Sequence, residues 1–149
     1  MPMKRDSRKL LDWFQYPLTW WILFALWLVG FMVITALPGR DLPEMPFSTF
    51  DKLVHFSAFF IGSALLFPAI YLTGRWRIVT SGFIALFLSM VLGVADEMMQ
   101  LFIPGRSGGD WGDMLANSLG AVVGVFMLMS IYGYSLVGSR AKARVRASN

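Results

Sequence analysis

The stretch Asp51-Lys-Leu-Val-His55-Phe-Ser-Ala58-Phe-Phe-Ile-Gly62 carries a stripe of polar and small residues inside an otherwise apolar run. Four of its residues lie at offsets that trace one face of an α-helix: Asp51, His55, Ala58 and Gly62. The same offsets recur forwards in one later run and backwards in another: Asp113, Asn117, Gly120 and Gly124, and Gln100, Asp96, Gly93 and Ser89. Because polar residues are costly in apolar runs, the stripes indicate a functional site where their polar ends meet.

The composition is typical of an integral membrane protein. Of the 149 residues, 56% are apolar and 15% are charged, whereas soluble domains average about 45–50% apolar and about 25% charged residues. The excess lies in four runs, each close to the roughly 20 helical residues that cross a bilayer: Leu18–Leu37, Leu53–Leu72, Ile78–Ala95 and Met114–Tyr134. The sequence predicts an all-α fold, an integral membrane four-helix bundle that forms one domain over residues 1–149, with an uncleaved first helix.

The basic residues are unevenly distributed between the two sides of this bundle. Ten of the 13 lie in the tails and in the loop after the second run, and three lie at the other side: Arg40, Lys52 and Arg106. The positive-inside rule then places both termini in the cytoplasm and the polar stripe ends at the outer leaflet. We predict a multi-pass protein of the inner (cytoplasmic) membrane. Since topology explains the basic charge, we expect no nucleic-acid binding, and the lack of cysteine excludes disulfide chemistry.

Nine residues near the predicted outer surface form the candidate ligand-binding set: Asp51, Lys52, His55, Asp96, Glu97, Gln100, Arg106, Asp113 and Asn117. Asp96 and Glu97 are the strongest candidates, because adjacent acids repel each other and the dipole of a helix C-terminus opposes them. A cation, water or a ligand must offset that cost.

Each of the other candidates also has a structural interpretation. Two of the acids have the spacing of a first-turn carboxylate three residues after a helix cap, Asp51 after Ser48 and Asp113 after Asp110. The amides could simply bridge helices, the single histidine could be a satisfied hydrogen bonder, and the two basic residues could face lipid headgroups. These alternatives stay open at the level of sequence.

The charges suit a ligand that itself carries both signs. Acids outnumber bases in the set, which favours an amine or a cation, while Arg106 favours a phosphate or carboxylate. We expect a membrane lipid or a lipid-linked envelope precursor as the partner. No metal-ligand spacing or nucleophile motif is present, so we predict no metal and no cofactor and assign no catalytic residue. The GxxxG formed by Gly120 and Gly124 could also join two copies of the chain.

Three segments resemble the VanZ-like family of small multi-pass bacterial membrane proteins: Asp51-Lys-Leu-Val-His55-Phe, Asp96-Glu-Met-Met-Gln100-Leu-Phe-Ile-Pro-Gly-Arg106 and Asp113-Met-Leu-Ala-Asn117-Ser-Leu-Gly120. With the helices between them they cover residues 51–124. The resemblance implies a cytoplasmic-membrane protein of the cell envelope. The family takes its name from a member associated with low-level teicoplanin resistance, so the resemblance also implies possible glycopeptide (antibiotic) resistance.

Three functional hypotheses follow. The leading one is a protein that binds an envelope lipid headgroup, a lipid-linked wall precursor or a glycopeptide in a polar pocket at the outer leaflet. The second is a membrane-embedded enzyme acting on an envelope lipid, with His55 or Glu97 as general base and Arg106 as anion clamp. In the third, the polar cluster only holds three helices together.

Overall fold

The computed structural model describes residues 14–42, 47 and 49–147, of which 136–147 are described by their backbone only. Four α-helices form most of these ranges, which contain no strand: α1 (Pro17–Thr35), α2 (Phe50–Gly74), α3 (Ile78–Gln100) and α4 (Trp111–Ala147). A short 3₁₀ turn at Gly39–Asp41 follows α1. All four helices are long and apolar enough to cross a membrane, α4 over Trp111–Ser135. The predicted all-α, four-span architecture is confirmed, and the side on which the termini lie stays a prediction.

Local chemistry sets several helix ends. Pro17 occupies the first position of α1, where its fixed φ favours a helical start and its missing N–H costs nothing. Pro68 lies inside α2, and the helix continues through it to Gly74. Arg75, in the left-handed conformation at φ 50, then terminates α2.

Helix α2 lies at the centre of the bundle and contacts the other three helices. Its most extensive interface is with α4, where Gly120 and Gly124 are buried directly against the backbone carbonyls of Phe56 and Phe60. Close approach of backbones at small residues is how helices gain packing energy in lipid. The GxxxG is therefore used within one chain, and the homo-oligomer, which stays a prediction, would need another surface.

One small residue of the α2 stripe lies against α1. Gly62 is packed against the indole of Trp27, so this part of the α2 stripe faces α1 rather than α3 and α4. The rings of Trp27, Phe31 and Phe59 continue the α1–α2 interface. Helix α1 is otherwise peripheral, with little of its span buried.

The interior has two halves with different chemistry. One half is apolar and is formed by Phe24, Leu66, Phe67, Ile70, Ala85, Val125 and Leu128. The other half, here called the polar end, is where α1 ends, α2 begins, α3 ends and α4 begins. Large apolar side chains such as Phe83, Phe87 and Phe126 are exposed on the outside of the bundle. An apolar exterior with polar groups turned inwards suits a bundle embedded in lipid.

Candidate functional site

His55 lies at the middle of the polar end and is buried, with 4% of its surface exposed. Its Nδ1 donates to the Oδ1 of Asn117 at 3.1 Å, which joins α2 to α4. The same nitrogen lies 3.8 Å from Glu97 Oε1 and 4.0 Å from Asp96 Oδ2, both on α3. On the other side of the ring, Nε2 lies 3.8 Å from Asp51 Oδ1. One imidazole therefore contacts polar groups from all three striped helices.

Glu97 is fully buried and connects α3 to the loop before α4. Its Oε2 accepts hydrogen bonds from the backbone N–H groups of Gly109, at 3.0 Å, and Asp110, at 3.2 Å. Gly109 presents its N–H from the left-handed conformation, at φ 80, which a residue with a side chain rarely adopts. The loop thus folds onto the Glu97 carboxylate, and this stabilises an acid that the α3 dipole opposes.

Asp96 is linked to Arg106 through Gln100. Gln100 Nε2 donates to Asp96 Oδ2 at 2.8 Å, and Arg106 Nη2 donates to Gln100 Oε1 at 2.9 Å. Asp96 and Gln100 are buried, while Arg106 is half-buried. The guanidinium is therefore held beside the cluster by an amide rather than by a carboxylate.

Lys52 forms two ion pairs at the start of α4. Its Nζ lies 3.1 Å from Asp110 Oδ2 and 3.1 Å from Asp113 Oδ1. Asp110 also caps α4, because its Oδ1 accepts from the N–H of Gly112 at 2.6 Å. That backbone hydrogen bond, together with the one from Lys52, lowers the pKa of Asp110 from its ordinary value. The predicted pairing of a cap with a first-turn acid therefore holds for α4, whereas Ser48, the predicted cap of α2, lies outside the described residues.

Several buried atoms at the polar end have no hydrogen-bond partner within the described part of the chain: Asp96 Oδ1, Glu97 Oε1 and Asn117 Nδ2. Unpaired buried polar atoms cost about 1–3 kcal/mol each. Three such atoms around one imidazole are unusual for a purely structural cluster.

A groove of about 230 Å³ lies beside this cluster, between α1 and α2. Its polar wall is formed by Asp51, His55, Arg106 and Thr35. The rest of its lining is apolar: Phe31, Ile34, Leu42, Phe50, Val54 and Ala58. The surface of the groove is therefore mostly apolar, with a few ionisable groups among its lining residues.

The structure brings all nine predicted residues into one connected network. Asp51 and Arg106 line the groove. Lys52 forms its two ion pairs at the start of α4. The remaining side chains lie around His55. Whether the network binds a ligand stays a prediction. Thr35 and Leu42 were not predicted as site residues, because α1 has no polar stripe. The position of Thr35 as the last polar residue of α1 was the available clue.

The loop after α1 lies on the loop after α3. Gly39 N–H donates to the carbonyl of Pro104 at 3.0 Å, and a side chain at position 39 would strike the backbone of Gly105. These contacts bring the end of α1 over the polar end, which places Thr35 and Leu42 in the groove wall.

Comparison with known proteins gives a family but no individual relative. No curated protein and no solved structure matches the sequence. A family model described as VanZ/LLP1 matches residues 7–132. This range includes α2, α3, the first part of α4 and every residue of the network. The chain therefore belongs to the VanZ/LLP1 family.

Proposed function

We propose that this protein binds the headgroup of an envelope lipid, or of a lipid-linked wall precursor, in the groove beside His55. We place it in the cytoplasmic membrane with both termini in the cytoplasm and the groove at the outer leaflet. The observation that carries the proposal is the groove itself, which combines a few ionisable side chains with a largely apolar lining. An amphiphilic molecule matches both surfaces.

The charges on the polar wall indicate the kind of headgroup. The half-buried Arg106 can donate two parallel hydrogen bonds to a phosphate or carboxylate. Asp51, whose side chain is 34% exposed, supplies a negative charge for an amine on the same wall. A headgroup with both a phosphate and an amine, such as that of phosphatidylethanolamine, is the simplest ligand with this charge pattern.

Lipid retention in native mass spectrometry tests the proposal. Protein extracted from nanodiscs containing phosphatidylethanolamine should retain the lipid, and Arg106→Gln should reduce retention about tenfold or more, because a charged hydrogen bond contributes about 1.5–3 kcal/mol. Arg40→Gln is the matched control, since Arg40 lies at the same end but its side chain is 85% exposed and outside the groove. Equal retention by wild type, Arg106→Gln and Arg40→Gln would contradict the proposal.

Family membership supports glycopeptide resistance as one biological consequence of such binding. Expression in a susceptible host should then raise the tolerated teicoplanin concentration, and Arg106→Gln should remove the increase. The alternative of a membrane enzyme uses His55, which lines the groove and is oriented by Asn117, as a general base. Formation of a product from the retained lipid would favour the enzyme, whereas stoichiometric binding without turnover favours the binding protein.

A further inference from the structure

The geometry points to a divalent transition-metal site formed by His55, Asp96 and Glu97, with Asn117 beside it. This inference goes beyond lipid binding and does not depend on it, because its two acidic donors, Asp96 and Glu97, are buried and do not line the groove. It also differs from the expectation drawn from sequence spacing, which predicts no metal. The three donors come from two helices that are far apart in the sequence, so no short spacing along the chain could reveal them.

The donor atoms lie close enough together for one ion. A nitrogen or oxygen from each of His55, Asp96 and Glu97 can be chosen so that all lie within 4.8 Å of one another. Atoms that bind the same zinc ion at about 2.1 Å are about 3.0–3.7 Å apart at common coordination angles. The observed separations of 3.8 Å and 4.0 Å from His55 Nδ1 require the side chains to move inwards by only a few tenths of an ångström.

Unpaired buried oxygens provide a second, independent observation. Glu97 Oε1 is directed at His55 and has no hydrogen-bond partner among the described residues, although Glu97 is fully buried. Asp96 Oδ1 is also unpaired and buried. Within the described ranges, the ion-pair contacts of these two carboxylates are with His55 alone. Because a buried carboxylate needs a compensating charge, a bound dication would satisfy both acids at once.

The outer contacts of the imidazole are those of a metal-binding histidine. If Nδ1 binds the ion, the ring proton lies on Nε2, which faces Asp51 at 3.8 Å. A carboxylate that accepts a hydrogen bond from the second nitrogen orients the ring and raises the basicity of the ligating one. Asp51 has to approach Nε2 by roughly half an ångström to accept that bond. Asn117 Oδ1, at 3.1 Å from Nδ1 in the structure, then becomes available as a further oxygen donor.

The donor set indicates the class of metal. One imidazole nitrogen with carboxylate and amide oxygens suits Zn²⁺, Mn²⁺ or Fe²⁺, whereas Mg²⁺ and Ca²⁺ prefer oxygen ligands alone. We therefore expect Zn²⁺ to bind in the presence of excess Mg²⁺.

Metal uptake by purified full-length protein in lipid-free detergent micelles tests the site. After treatment with EDTA and dialysis against Zn²⁺, elemental analysis should find about one zinc per chain. Zn²⁺ should raise the melting temperature of the wild-type protein, and EDTA should reverse the rise. Since only wild-type protein is needed here, a variant that fails to fold cannot obscure the result. Absence of uptake and of the thermal shift would overturn the inference.

Conservative variants locate the ion. Glu97→Gln retains an oxygen for the N–H groups of Gly109 and Asp110, and Asp96→Asn retains one for Gln100, but each should weaken Zn²⁺ binding by at least about tenfold. Asp41→Asn removes a half-exposed acid at the same end and should bind like wild type. Zinc binding that is equally strong in all three variants would place the ion elsewhere and overturn the inference. A negative lipid-retention result, by contrast, would leave it unaffected.

Discussion

Lys52 lies between two carboxylates that differ in burial. Asp110 is 41% exposed at its side chain, whereas that of Asp113 is 3% exposed, and both are 3.1 Å from the Lys52 ammonium. A buried carboxylate depends on its partner much more than an exposed one, because water cannot replace the lost charge. The Asp113 pair is thus the more important of the two for stability.

We expect Lys52→Gln to lower the melting temperature in detergent, because it leaves the Asp113 carboxylate buried without its cation. Adding Asp113→Asn to the same chain should recover part of the loss, since the unpaired charge is then removed. Arg40→Gln, which removes an exposed cation from the same end, should have no effect. If Lys52→Gln and Arg40→Gln have the same melting temperature, the Lys52–Asp113 ion pair contributes nothing to stability.

The sequence predicted which residues gather at the polar end, but not how they pair. Helical offsets identify residues that share a face, and they gave six of the nine. Lys52, Glu97 and Arg106 were included because they lie beside the polar ends of the stripes. Arg106 is linked to Asp96 only through Gln100, which lies between them. One oxygen of Glu97 accepts hydrogen bonds from loop N–H groups that no side-chain pattern reveals. Such pairings depend on loop conformation, which charge and spacing do not specify.

At the scale of helices, Gly120 and Gly124 set the distance between α2 and α4. A methyl group at either position would strike a backbone carbonyl of α2. Backbone cannot move aside as a flexible side chain can, so the helices would have to separate.

Gly120→Ala should therefore destabilise the protein by about 1–3 kcal/mol, the usual cost of overpacking a well-packed interface. Gly133→Ala on the same helix is the matched control, because nothing lies within 4 Å of an added methyl group there. The control should be neutral, or more stable by up to about 1 kcal/mol through helix propensity. Thermal unfolding of both variants in the same detergent measures the difference. Equal stability would contradict the close packing of α4 on α2 at Gly120.

Hydropathy located the four helices but underestimated the lengths of α2, α3 and α4. Helix α3 continues past Ala95 to Gln100, and α4 begins at Trp111 rather than Met114. These extensions contain the polar residues, which remain helical because neighbouring helices bury them. A count of apolar residues stops where the polar cluster begins, since it cannot detect burial by another part of the protein.

For the whole molecule, the orientation proposed from the basic loops can be tested with single cysteines, because the chain has none of its own. Ser107 and Trp76 are exposed and lie at opposite ends of the bundle. In spheroplasts, a membrane-impermeant maleimide should label Ser107→Cys and leave Trp76→Cys unlabelled until the membrane is broken. The reverse pattern would place the groove and the polar end in the cytoplasm.

The central claim is that α2, α3 and α4 place their polar ends around one buried imidazole. The chain contains a single histidine, so ¹⁵N-labelled imidazole reports on His55 alone. The most direct test is solid-state NMR of the protein in lipid bilayers, measuring dipolar contacts from the His55 ring to side-chain carbonyl carbons. We predict contacts from Nδ1 to Asn117 and to the carboxyl carbons of Asp96 and Glu97. A ring without these contacts, exchanging freely with water, would contradict the account.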